Sequence, residues 1–166
     1  TTLTYDRHQG HAFSYDVVEL GYNYRIDEIH SALGLAQLHK LEKNNQRRGD
    51  LVRMYWAGLK RSGLGLPFKD WEAEEFVKPA YHVMPVLLPV GVDRHAFMLK
   101  LRDVGIQSSI HYPPIHQFSC FQDNYSLAKL PITEDVSMRE TTLPLYPSMT
   151  DCQVKQVLQA TKFLIK

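Results

Sequence analysis

Between residues 26 and 59 the chain carries apolar side chains at helical spacing, and no other stretch constrains the fold so tightly. Ile26, Ile29, Leu33 and Ala36 recur at three- and four-residue steps, and Leu38 and Leu41 widen the stripe. Asp27 and Glu28 open the run, where carboxylates meet the positive end of a helix dipole. The polar knot Lys43-Asn44-Asn45 predicts a break into two helices. The second carries Leu51, Met54, Tyr55 and Leu59 on one face and stops at Ser62-Gly63 and the Gly65 to Pro67 turn. Apolar faces of this kind must pack on another layer, which the rest of the chain has to supply.

Residues 1–25 are polar and aromatic without a sustained period, and read as irregular structure with a short strand at residues 15–20. The acidic stretch 70–78 reads as a surface loop, and residues 81–88 as a strand in which Pro85 marks an edge or a bulge. Asp93 is placed to cap a helix carrying Ala96, Phe97, Leu99, Leu101 and Val104, with Gly105 at its C′ position. Residues 106–112 alternate, with Ile106, Ser108 and Ile110 on one side and Gln107, Ser109 and His111 on the other, until Pro113 and Pro114 end the strand. Thr133 caps a short helix to about residue 140, residues 142–146 form another short strand, and Thr150 caps a last helix with Val154, Val157, Leu158 and Leu164 on its apolar face. The predicted order of elements is an α/β fold of α+β character: a small sheet flanked by helices.

With 166 residues, 44% hydrophobic and 22% charged, the chain suits one domain with a real core or two small ones, and is too apolar to be disordered. A net charge of +1 offers no electrostatic grip on nucleic acid or on an anionic membrane surface. The longest apolar run, residues 83–90, is far below the ~20 residues of a membrane span, and no secretory signal pattern opens the chain. Cys120 and Cys152 lack Cys-x-x-Cys spacing and read as reduced thiols of a cytoplasmic protein.

Glycine loops that cradle phosphates are absent, as are the Gly-x-Ser-x-Gly and His-Glu-x-x-His motifs. Eight histidines do not assemble a metal set: Gly10 separates His8 from His11, two prolines separate His111 from His116, and His30, His39 and His95 read as helix-surface residues. Gly21-Tyr22-Asn23-Tyr24-Arg25 is more informative. It sets an amide and a guanidinium before a helix start, which favours an anion, with tyrosines to wall a ring. It equally suits a structural turn in which the asparagine takes the left-handed conformation and the tyrosines pack. His111-Tyr112-Pro113-Pro114-Ile115-His116 is a stiff loop at a strand end, suited either to holding site residues or to a plain proline turn.

These two clusters resemble blocks of the DegT/StrS family of pyridoxal phosphate (PLP)-dependent sugar aminotransferases. The matching runs are Leu20 to Ile29 continuing through Ser31 to Leu38, then Tyr81-His82, Gly105 to Pro114, and Leu143-Pro144-Leu145-Tyr146-Pro147, all in family order from about Val17 onward. The resemblance implies the type I aminotransferase fold, with a large PLP domain and a smaller C-terminal domain, working as a cytoplasmic homodimer. The reaction implied moves an amino group, usually from glutamate, to a nucleotide-linked keto sugar. By the same resemblance Asn23 contacts the PLP phosphate of the neighbouring subunit, His111 and Tyr112 face the substrate, and Tyr22 and Arg25 shape the site.

One family feature is missing. The Schiff-base lysine belongs upstream of the Gly-Tyr-Asn-Tyr-Arg block, yet none of the 20 residues before Gly21 is lysine, and none of the ten lysines has a family-like context. The expectation is a C-terminal part: residues 1–25 connect to a large domain not present, and residues 26–166 form the small domain with its leading helices. Such a chain holds no catalytic residue of its own. The alternative is a stand-alone, non-catalytic binding or dimerisation module of the same fold. Dehydratase relatives, which use PLP differently, are told apart by that same lysine region.

Overall fold

A computed structural model of the chain describes residues 21–22, 24–70, 79–121 and 129–165. The strand expected at residues 15–20, most of the acidic stretch, and His8, His11 and Asn23 lie outside the described residues. The chain divides into two compact units, residues 1–39 and 40–166. Among the described residues six regular elements and a short turn of helix follow one another: α1 (Glu28–Leu59), β1 (Met84–Leu87), α2 (Arg94–Asp103), a 3-10 turn (Ile115–Gln117), α3 (Pro131–Arg139), β2 (Glu140–Leu143) and α4 (Asp151–Leu164). The architecture is helix-rich α/β with a two-stranded sheet.

The expected break at Lys43-Asn44-Asn45 does not occur; α1 is one helix of 32 residues. Asparagine costs a helix interior only a fraction of a kcal/mol, which packing elsewhere along the helix outweighs. Local bonds help: Arg48 Nη2 donates to Asn45 Oδ1, and Gln46 Nε2 to Asp50 Oδ1 at 3.3 Å. Asp27 opens the helix by accepting the His30 N–H at 2.8 Å, and this bond, with that of the His30 ring, holds its carboxyl below the usual range. Past the C-terminus, Gly63 takes φ 81°, which a side chain rarely tolerates.

The sheet is smaller than expected. β1 pairs antiparallel with β2, Pro85 opposite Thr142 and Leu87 opposite Glu140. The alternating stretch 106–112 contributes only a bridge, in which Ser109 and Thr142 exchange both backbone bonds at 3.1 and 2.8 Å. Its period-two burial holds nevertheless: Ile106, Ser108 and Ile110 are half-buried, and Gln107 and Ser109 are exposed. Since Thr142 turns its backbone groups to Ser109, Pro85 opposite it owes β2 no N–H, which is why proline is tolerated there. α3 begins at Pro131 rather than at the expected cap Thr133, because proline's fixed φ and missing N–H suit the first helical position. β2 accordingly begins at Glu140, two residues before the expected strand start. Asp93, Gly105 (φ 80°) and the Thr150–Gln153 capping box punctuate α2 and α4 as expected.

The core of residues 40–166 lies on one face of the sheet. Met84, Val86, Leu88 and Leu143 meet Leu51, Tyr55 and Leu59 of α1, Phe97 and Leu101 of α2, and Val154 and Val157 of α4. Strand parity then sends Pro85, Leu87, Glu140 and Thr142 to the opposite face. That face carries the candidate site. In residues 1–39, by contrast, Ile26, Ile29, Leu33, Leu35 and Leu38 are all exposed.

Candidate functional site

Glu140 and Thr142 are two apart on β2, so their side chains share the face away from the core, and both are 6% exposed. The Ser109–Thr142 bridge brings the chain after Ser109 alongside them. His111 then donates its backbone N–H to Glu140 Oε2 at 2.9 Å, and its ring Nδ1 lies 2.8 Å from Thr142 Oγ1. The Thr142 hydroxyl donates to Glu140 Oε1 at 2.5 Å, closing a three-residue network. Tyr112 lies edge-on to the imidazole, with ring centroids 4.7 Å apart.

Two cavities border His111. The larger, about 690 Å³, is walled by Tyr112, the proline pair, Ile115, Ile132 and Val136, with Glu140 and His116 among its polar lining. The smaller, about 270 Å³, is lined by His82, Gln107, Ser109, His111 and Thr142 among others. It brings together the three polar residues, Gln107, Ser109 and His111, expected on one face. Among the described residues, no lysine or arginine lines either cavity. The mostly apolar walls of the larger cavity, with a few fixed polar groups, suit a ring-shaped organic ligand.

A second pair reaches the larger cavity through His116. His116 Nε2 lies 3.1 Å from Glu134 Oε1, which also accepts the Leu130 N–H at 3.1 Å. The Leu130 N–H, followed by His116, holds the Glu134 carboxyl below its ordinary range. This ties the loop after Pro114 to the first turns of α3.

The sequence-expected residues separate into two groups. His111 and Tyr112 sit together at the cavity, where Tyr112 is exposed. Tyr22 and Tyr24 are almost fully exposed, their rings 5.7 Å apart, and Arg25 is exposed with them in the first unit. His30, His39 and His95 are exposed on helices, as expected. Among the described residues no group of three or more His, Cys, Asp or Glu could hold a metal ion. Sequence reasoning missed Glu140, Thr142 and the His116–Glu134 pair. The available signal was strand parity, lost when the strand was begun at Thr142 and Glu140 was read as a helix end.

The chain is 31% identical over 157 residues to the uncharacterized protein MJ1066 of Methanocaldococcus jannaschii, covering 91% of this chain and 40% of that one. It superposes on Helicobacter pylori PseC, an aminotransferase involved in the biosynthesis of pseudoaminic acid, with TM-score 0.79 and 26% identity over 93% of this chain and 41% of that one. The PLP form of Spr1654 from Streptococcus pneumoniae matches with TM-score 0.78 and 25% identity, over 94% and 40% of the two chains. The chain therefore spans about two fifths of the length of these relatives. Residues 3–162, nearly the whole chain, match the DegT/DnrJ/EryC1/StrS aminotransferase family, and the chain belongs to it.

Proposed function

We propose that this chain is the C-terminal part of a PLP-dependent enzyme that moves an amino group from glutamate to the keto group of a nucleotide-linked sugar. In this reading residues 1–25 connect to the large domain, and residues 26–166 form the small domain with its leading helices. The observation that carries the substrate side is the apolar-walled cavity in which the Glu140–Thr142–His111 network meets Tyr112. Apolar walls take the C–H faces of a sugar ring, while His111 bonds a hydroxyl and Tyr112 borders it. Asn23 serves as amide donor to the cofactor phosphate of the neighbouring subunit, and Tyr22 and Arg25 shape that approach. The exposed run from Ile26 to Leu38 supports a homodimer or docking on the large domain, since an apolar stripe of this length is normally covered. No described helix is long and apolar enough to cross a membrane.

Pyridoxal phosphate is the cofactor of the intact enzyme in this reading, and the described residues do not make a site for it on their own. Among the described residues no lysine lines either cavity at His111, so the amine that would anchor it is not among their described walls. In this reading the chain alone does not carry out the transfer. What its residues do is bind and orient the sugar and keep the His111 imidazole fixed beside it.

Two measurements test this. The chain is incubated with PLP, reduced with borohydride and mapped by peptide mass spectrometry; no stoichiometric adduct on one of its lysines is expected, and such an adduct would overturn the assignment. The intact protein, supplied with glutamate and a nucleotide-linked keto sugar, is expected to yield the amino sugar, with Asn23→Ala weakening cofactor retention. An intact protein that loads PLP yet aminates no nucleotide-linked keto sugar ends the reading.

A further inference from the structure

Glu140 is a buried carboxylate to which the reading above gives no task. An ionised carboxylate only accepts hydrogen bonds, so both of its contacts run inward, from the His111 backbone N–H at 2.9 Å and from the Thr142 hydroxyl at 2.5 Å. A hydroxyl has a single proton. With that proton committed to Glu140, Thr142 Oγ1 meets His111 Nδ1, 2.8 Å away, with a lone pair, so Nδ1 must carry hydrogen. In a neutral imidazole the other nitrogen then has none. Nε2 has no protein partner among the described residues and is not among the buried unsatisfied atoms, so it is open to a ligand.

We propose that Glu140, acting through Thr142, holds His111 as its Nδ1–H tautomer, so that Nε2 accepts a hydrogen bond from a ligand hydroxyl or N–H. Glu140 and Thr142 are positioning residues, since they act on the ligand only through His111. The arrangement selects by chemistry. A phosphate presents oxygens to a lone pair, with a carboxylate bonded to the same network and, among the described residues, no lysine or arginine in the walls of either cavity. A neutral hydroxyl-bearing ring meets the acceptor it needs. His111 thus faces the sugar of the substrate rather than the phosphate of its nucleotide; that ligand assignment rests on the proposed function, whereas the tautomer does not.

Substitution at residue 140 gives the relay a direction that can be reversed. Glutamine has one oxygen and one amide NH2, and the oxygen is required by the His111 backbone N–H. The NH2 then donates to Thr142 Oγ1, the threonine hydroxyl turns to donate to His111 Nδ1, and the ring proton moves to Nε2. The test is long-range 1H–15N correlation of the 15N-histidine-labelled full chain, above the ordinary imidazole pKa of about 6.5. The protonated ring nitrogen resonates well upfield of the lone-pair nitrogen, so the tautomer is read directly. The wild type and Thr142→Ser are expected to show Nδ1–H, Glu140→Gln to show Nε2–H, and Thr142→Val to lose the Nδ1–H preference. Should Glu140→Gln fail to fold, the Val and Ser pair at 142 carries the same contrast, because a merely structural role would not distinguish a retained hydroxyl from a lost one. A wild-type ring protonated at Nε2, or variants that keep the wild-type tautomer throughout, would overturn the proposal. Either result leaves the aminotransferase reading standing, just as an intact protein without transfer activity would leave the tautomer untouched.

Discussion

Tyr55 connects the core to the site through one bond, and Tyr55→Phe isolates it. The side chain is fully buried in α1, and its hydroxyl donates to the Pro144 carbonyl at 2.8 Å. Pro144 directly follows β2 and lines the smaller cavity beside His111. Phenylalanine keeps the ring packing and leaves that carbonyl without its donor. Losing a hydrogen bond of this kind costs about 0.5–1.5 kcal/mol, and a chain of this size loses roughly 2–4 °C of Tm per kcal/mol, so a drop of about 1–6 °C is expected. Burial also pushes the Tyr55 pKa upward. The unfolded chain therefore releases this proton first as pH rises above about 10, and the folded state loses stability there. That alkaline loss is expected in the wild type and reduced in the variant. Urea unfolding followed by circular dichroism, at neutral pH and near pH 11, measures both effects. A neutral-pH loss under about 0.5 kcal/mol, or identical alkaline slopes, would refute the argument that this bond is made and buried.

Other expectations are simpler. The lowered carboxyl of Glu134 contributes stability above its unfolded pKa of about 4.5 and loses it as pH falls through the lower folded value. Glu134→Gln should therefore flatten the acid limb of the unfolding curve, and superimposable acid limbs would count against the His116–Glu134 and Leu130–Glu134 bonds. Thr150→Ala removes the side-chain half of the α4 capping box and should cost about 1 kcal/mol by denaturant titration, with no loss if the cap is idle. Leu33→Asp places a charge in the exposed stripe of α1 and should lower self-association in sedimentation velocity. A wild-type chain that stays monomeric at high concentration would remove the reason for that variant.

Local rules made much of the fold legible. Asp93, Gly105 and Thr150 were readable because caps and C′ glycines act within one turn of the residue that carries them. The buried face of Leu51, Tyr55 and Leu59 was readable from periodicity. The continuity of α1 was not, since a run of polar residues resembles a helix end unless the next turn is seen to bond across it. The start of α3 was missed because a threonine two residues inside the helix mimics the cap that Pro131 makes unnecessary. That shift of boundary also hid the parity linking Glu140 to Thr142.

By itself, the sequence determined the family, the helical core face and the candidacy of His111 and Tyr112, because ordered motifs and periodicities are properties of neighbouring residues. Only the tertiary structure decided what supports that histidine. Glu140 lies 29 positions from His111 and Thr142 lies 31, and nothing local couples them. The coupling comes from the backbone exchange between Ser109 and Thr142, which sets the register of a loop against a strand. Strand parity then turns the carboxylate and the hydroxyl to the same side, under the imidazole. A hydrogen-bond network of this kind exists only once the chain has closed on itself.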